Sequence, residues 1–108
     1  MNFVDLFSLS LHRAVAEKML TDEEAVMKIA RSNLERWLKS PSFKGVERFA
    51  LFEWRNILDN SRSDEIRDII TSETDEGQCL RSSSPFAGVL SRKERMNTWS
   101  ACAKVGLN

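Results

Sequence analysis

Residues 3–20 of the chain read FVDLFSLSLHRAVAEKML, residues 21–39 continue as TDEEAVMKIARSNLERWLK, and neither stretch contains a glycine or a proline. In both stretches apolar residues recur every three or four positions, the spacing of one face of an α-helix. Thr21 is followed three residues later by Glu24, the pattern of a capping box. We therefore predict two helices, the second beginning near Thr21 and ending near Lys39, before Pro41.

The chain after Pro41 continues in helical segments. Residues 44–59 predict a third helix, and a shorter fourth helix, capped by Ser61 or Ser63, carries three isoleucines. Residues 72–82 are polar and include a glycine, which costs about 1 kcal/mol inside a helix. We therefore predict no firm helix over residues 72–82.

The segment SSSPFAGVL, residues 82–90, predicts a compact loop. Pro85 fixes one backbone angle and Gly88 permits a tight reversal. Three apolar residues after the proline are expected to pack against the bundle and so to anchor the loop on it. These residues are Phe86, Val89 and Leu90. Ser91 with Glu94 forms a second capping box, which predicts a last helix ending near Ala103.

The composition is that of one folded domain. The 108 residues are 42% hydrophobic and 30% charged, and no alternating strand pattern is found. We predict an all-α fold: a single domain over residues 1–108, an irregular bundle of five or six helices. Trp37, Trp54 and Trp99 are expected to be largely buried.

Charge and cysteine content bound the compartment and the partners. Sixteen basic and sixteen acidic residues balance, which disfavours a strongly basic nucleic-acid binder. No run reaches the ~18 apolar residues of a membrane span, and the N-terminus lacks the basic region of a secretory signal. We expect a cytoplasmic protein without membrane contact. Its Cys79 and Cys102 are expected to be reduced thiols, and a disulfide between them is the alternative.

No catalytic, cofactor or metal site is predicted. His12, the only histidine, falls on the polar face of the first helix, where we expect it to be exposed, with no nucleophile at a fixed offset. The residue types also allow a pairing of Cys102 with His12 as its base. The histidine and the two cysteines are too few and too scattered for zinc, the acidic runs lack calcium-loop spacing, and no glycine-rich phosphate loop is found.

The apolar residues outnumber what one face of each helix needs. Two explanations stay open: these residues are core in a two-layered bundle, or they contact a partner chain. Our leading hypothesis is a protein-interaction module that buries the surface of a partner protein or of a second copy. The surplus residues, and the predicted interface, are Leu6, Leu9, Leu20, Phe49 and Phe52.

A cluster of basic residues supports a second hypothesis. Arg81, Arg92, Lys93 and Arg95 gather near the serine-rich loop and could contact phosphate or carboxylate groups. The alternative function is therefore a small DNA-binding transcriptional regulator that uses residues 81–95. A helix-turn-helix is disfavoured, because residues 23–38 contain no turn.

Two segments carry a resemblance. LRSSSPFAGVLS, residues 80–91, is followed by Glu94-Arg95, and HRAVA occupies residues 12–16. Together they resemble segments of small all-helical bacterial proteins from toxin–antitoxin or defence-type gene pairs. The resemblance covers both ends of the chain and leaves the middle unmatched. It implies an antitoxin-like protein that works with a partner, and it transfers no catalytic residue.

Overall fold

Five α-helices make up the fold in this computed structural model, which describes residues 2–106. They are α1 (Phe3–Lys39), α2 (Val46–Asn60), α3 (Ser63–Ile70), α4 (Asp75–Ser82) and α5 (Arg92–Gly106). No strand occurs within this described range, so the predicted all-α bundle is confirmed. Helix α1 packs against each of the other four helices and is the spine of the bundle.

Helix α1 joins the two helices that the sequence predicts into one kinked helix. The kink lies at Asp22, whose φ of −148° and ψ of 55° are not helical. The predicted capping box at Thr21 is wrong: the Thr21 hydroxyl donates to the Lys18 carbonyl oxygen at 3.2 Å. Without a capped break the chain bends at one residue and continues as a helix.

Helix α4 forms over residues for which no firm helix was predicted. The Thr74 hydroxyl caps it by accepting the backbone N–H of Gly77 at 3.1 Å. A Cβ at Gly77 would lie 2.7 Å from the Ser72 carbonyl oxygen. The glycine therefore permits a close approach to the preceding turn, and its cost in helix propensity is offset by the cap.

The core lies between α1 and the surrounding elements, including the 83–91 loop. Trp54 is fully buried as predicted, Trp37 is half-buried, and the prediction for Trp99 is wrong because 48% of it is exposed. Helix α5 turns Cys102 inward and leaves Trp99 at the rim, edge-on to Phe3. The main hydrophobic cluster of the core consists of Val15, Met19, Val26, Ala30, Leu34, Leu51, Trp54, Leu58, Ile66, Ile70, Leu80, Phe86, Val89 and Leu90.

Within residues 2–106, no helix combines the length and the apolar character that crossing a membrane requires. Cys79 is exposed and Cys102 is buried, and both are free thiols.

Candidate functional site

The structure separates the residues of the predicted interface. Leu9 is only 1% exposed and belongs to the core, so its assignment to the interface is wrong. Leu6 is half-buried in a groove between α1 and α5. Leu20 is 67% exposed just before the kink, and Phe49 and Phe52 are exposed on α2. The first half of α1 is covered on more than one side, which is why Leu9 is buried although it lies off the main apolar stripe.

The outward face of α2 carries an apolar patch. Val46, Phe49 and Phe52 are spaced three residues apart and exposed, and Phe49 is 71% exposed. The Arg48 guanidinium lies 5.5 Å from the centre of the Phe52 ring, a cation–π contact. The opposite face of the helix, with Trp54 at its centre, is in the core. We call Val46, Phe49 and Phe52 the α2 patch.

A groove runs beside the α2 patch, between α2 and the second half of α1. Its volume is about 490 Å³. Arg55 on its wall is three residues after Phe52, so the groove and the patch are neighbours on one side of α2. Arg31 bridges the groove by pairing with Asp59 and donating to the Leu58 carbonyl oxygen at 2.7 Å. The lining residues are Arg31, Leu34, Glu35, Leu38, Lys39, Arg55 and Asp59.

A second group of exposed apolar side chains lies where α1 begins and α5 packs on it. Phe3, Met96 and Trp99 are exposed, and the Phe3 and Trp99 ring centres are 6.4 Å apart. This group was not predicted from the sequence, because Phe3 shares the helical spacing of the apolar residues in 3–20 and Trp99 was expected to be buried.

The four basic residues singled out in the sequence do not share one environment. Arg81 is 4% exposed, and its Nη1 donates to the Ile70 and Ser72 carbonyl oxygens at the end of α3. Burial lowers the pKa of Arg81 below its ordinary value, and Arg13 lowers it further. Its predicted contact with an external phosphate or carboxylate is therefore wrong: the guanidinium is used inside the protein. Arg92, Lys93 and Arg95 are exposed near the start of α5.

His12 is buried, contrary to the sequence-based expectation. Only 8% of it is exposed, because the 83–91 loop covers that face of α1. Its Nδ1 lies 2.7 Å from the Ser8 carbonyl oxygen and its Nε2 lies 2.7 Å from Ser84 Oγ. Burial lowers the pKa of His12 below 6.5, and the charge of Arg81 adds to this, whereas the Ser8 hydrogen bond opposes it. His12 is therefore neutral at pH 7.

Side chains of α1 hold the backbone of the 83–91 loop. Asn33 Nδ2 donates to the carbonyl oxygens of Pro85 and Ala87, both at 2.8 Å, and Lys18 Nζ donates to that of Val89 at 3.1 Å. The predicted anchors Phe86, Val89 and Leu90 are buried, which confirms that part of the prediction. The role of Asn33 was missed, although a signal existed: it stands three residues after Ala30 on the buried stripe of α1.

The predicted capping box at the start of α5 is confirmed. The Ser91 N–H donates to Glu94 Oε1 at 2.9 Å and the Glu94 N–H donates to Ser91 Oγ at 3.1 Å. The hydrogen bond from the Ser91 backbone, and next the one from Lys18, lower the pKa of Glu94 to about 2. The carboxylate thus ties the end of the loop to α1.

A cavity of about 270 Å³ opens between α1, the 83–91 loop and α5. His12 and Ser84 are on its wall, together with Leu11, Val15, Phe86, Ala87, Gly88, Leu90 and Arg95. Cys102 does not join this site by a hydrogen bond, because its thiol contacts Ser10 Oγ at 3.4 Å. In the described part of the chain, His, Cys, Asp and Glu form no group of three that could hold a metal ion.

Comparison of the chain with protein-family models, with curated proteins and with solved structures finds no match.

Proposed function

We propose that this protein is a cytoplasmic interaction module of antitoxin or adaptor type that binds an amphipathic helix of a partner protein. The binding surface consists of the α2 patch and the neighbouring groove. One observation carries the proposal: Phe49 and Phe52 are exposed on a helix whose opposite face is buried in the core. Large aromatic side chains are the residues that most often anchor protein interfaces.

The surroundings of the patch favour a helical partner. The groove has an apolar base formed by Leu34 and Leu38, and its rim carries both basic and acidic side chains. A helix that lies in the groove can place apolar residues on this base and on Phe52, and charged residues on the rim. This is the helix-in-groove mode of recognition, in which apolar anchors recur every three or four residues.

Area favours a separate partner over a second copy paired through α2 alone. Helix α2 has 15 residues. At ~1.5 Å per residue and a width of ~10 Å, it presents roughly 220 Å². Stable interfaces bury about 800 Å² on each partner. A partner that also fills the groove reaches more surface than α2 paired with α2, and the resemblance to gene-pair proteins also supports a separate partner.

The test is copurification with the product of the adjacent gene, followed by a binding titration. Replacing Phe49 and Phe52 together by Asp is expected to weaken binding at least about 30-fold, the effect of losing one hot spot of about 2 kcal/mol. Met96→Asp, an equally polar change at an exposed position on α5, is the matched control. Light scattering of the protein alone separates a dimer from a monomer.

Unchanged binding by the Phe49/Phe52 variant, with unchanged helical circular dichroism, would contradict the proposal. Loss of helicity in that variant would instead place the two residues in the folding core. A dimer that the same variant dissociates would assign the patch to a second copy.

The exposed basic residues of α5 favour one alternative function. Arg92, Lys93 and Arg95 lie within a single turn and are exposed, as DNA-phosphate contacts must be. A DNA-binding regulator would shift its own upstream DNA, and the affinity would fall by about one power of salt concentration per phosphate contact. A monomer that binds no protein, and loses this shift after Arg92→Glu with Lys93→Glu, would favour the regulator.

A further inference from the structure

His12 and Ser84 have the hydrogen-bond arrangement of a general base and a nucleophile. A carbonyl oxygen only accepts hydrogen bonds, so the 2.7 Å contact with Ser8 places the proton of the neutral ring on Nδ1. Nε2 then has a free lone pair, and the Ser84 hydroxyl, also at 2.7 Å, donates to it. A base that touches the nucleophile and is oriented by a third group is the pattern of serine activation.

The Ser84 hydroxyl is held in place by hydrogen bonds but is still accessible from the cavity. It accepts the backbone N–H of Phe86 at 3.2 Å, and the residue is half-buried. Both His12 and Ser84 are on the wall of the 270 Å³ cavity, so a small molecule in the cavity would contact the hydroxyl. Because burial keeps His12 neutral, the ring is in the form that can accept a proton.

The other residues that line the cavity indicate which class of ligand it would bind. Leu11, Val15 and Leu90 make one part apolar, and Arg95 contributes a positive charge. Ala87 and Gly88 are exposed and also line the cavity, and among the described residues neither backbone N–H donates to a protein acceptor. Such N–H groups can stabilise the oxygen of a tetrahedral intermediate. The size and the lining match a short apolar acyl group.

We infer that Ser84 is a nucleophile, with His12 as its general base, for short-chain carboxylic esters. Ser84 Oγ forms a bond to the ester carbonyl carbon, its proton moves to His12 Nε2, and the carbonyl π electrons move to the oxygen. When this oxyanion collapses, the bond to the leaving oxygen breaks, and the alcohol departs with the proton from Nε2. Water then attacks acyl-Ser84 by the same route and releases the carboxylic acid. This activity is additional to partner binding and uses different residues.

The test is covalent labelling of the full-length protein with a fluorophosphonate probe, followed by intact and peptide mass spectrometry. One adduct is expected, on Ser84. Ser84→Ala removes it, while Ser82→Ala, at an exposed serine two positions away, retains it. His12→Gln keeps a hydrogen-bonding side chain without a base, and is expected to slow labelling at least about 100-fold. Hydrolysis of p-nitrophenyl butyrate should follow the same order.

A pH profile on the unmodified protein avoids the risk that a variant unfolds. The labelling rate is expected to fall in acid with an inflection below 6.5, because protonated His12 cannot act as a base. Equal labelling of wild type and folded Ser84→Ala would overturn the inference, and so would a rate that shows no such inflection. The Phe49/Phe52 double variant is expected to label like wild type, so failure of this inference is distinguishable from failure of the proposed binding function.

Discussion

The phenylalanine side chains of helix α2 and of the 83–91 loop lie in opposite environments. The helix is regular, yet its Phe49 and Phe52 are exposed, whereas the loop has no regular structure and its Phe86 is in the core. Phe86 packs edge-on against Trp54, with ring centres 5.7 Å apart. Regular secondary structure and contribution to the core are therefore separate properties here. The loop contributes to stability, and the helix face is free for recognition.

The largest effect is expected from Phe86→Ala. This change removes a buried ring between Trp54 and His12 and should lower the free energy of unfolding by about 3–5 kcal/mol. Urea unfolding followed by tryptophan fluorescence measures it. A loss of less than about 1 kcal/mol would mean that the loop does not close the core, and the contrast with α2 would fail.

A smaller loss is expected from Asn33→Ala. Asn33 is buried, and it is the donor to two carbonyl oxygens of the loop. Leaving them without a partner should cost about 1–3 kcal/mol. The matched control is Asn56→Ala on the exposed face of α2, for which a change within about 0.5 kcal/mol is expected. Equal melting temperatures for the two variants would contradict the assigned role of Asn33.

The loop should also make stability sensitive to acid. The pKa of His12 is lower in the folded than in the unfolded chain, so below pH 6.5 the unfolded chain binds more protons and stability falls. Glu94 acts in the same direction at lower pH: its stabilisation is present above 4.5 and is lost as pH falls towards about 2. Unfolding measured between pH 7 and 5 should depend less on pH in His12→Gln. An unchanged slope would contradict the burial of His12.

The smallest effect is expected from Phe49→Ala. Because the ring is 71% exposed, its removal should change the free energy of unfolding by no more than about 0.5 kcal/mol. Urea unfolding of Phe49→Ala beside Phe86→Ala therefore compares the same chemical change in the two regions. Similar losses for both would show that the α2 patch is part of the folding core.

Local features of this fold could be predicted from the sequence. Helical periodicity located α2, α3, α5 and both halves of α1 to within a few residues, whereas α4 was not predicted as a helix. The loop anchors and the Ser91–Glu94 capping box were correct. These features depend on residues close together in the chain.

The errors in side-chain burial share a cause: each depended on what covers a helix face. His12 meets Ser84 across 72 positions, and Arg81 is enclosed by the end of α3. Leu9 was predicted at an interface but is buried, and Trp99 was predicted buried but is exposed. Periodicity gives the angle of a side chain around its helix, but it does not show which element packs against that side chain. Phe49 and Phe52 of the α2 patch were predicted as surplus apolar surface, but only the fold separated them from Leu9.

The loop contacts also bear on when the protein can fold during synthesis. Ser84, Pro85 and Val89 reach back to α1 over separations of 72, 52 and 71 residues. Contacts this distant in sequence slow folding, because a long segment must be closed before any stabilising contact is gained. While the first 82 residues emerge from the ribosome, the face of Trp54 that Phe86 covers stays open to water. We therefore expect nascent chains to keep this apolar surface exposed until the loop has left the ribosome, and a stop codon at position 83 to yield an aggregating product.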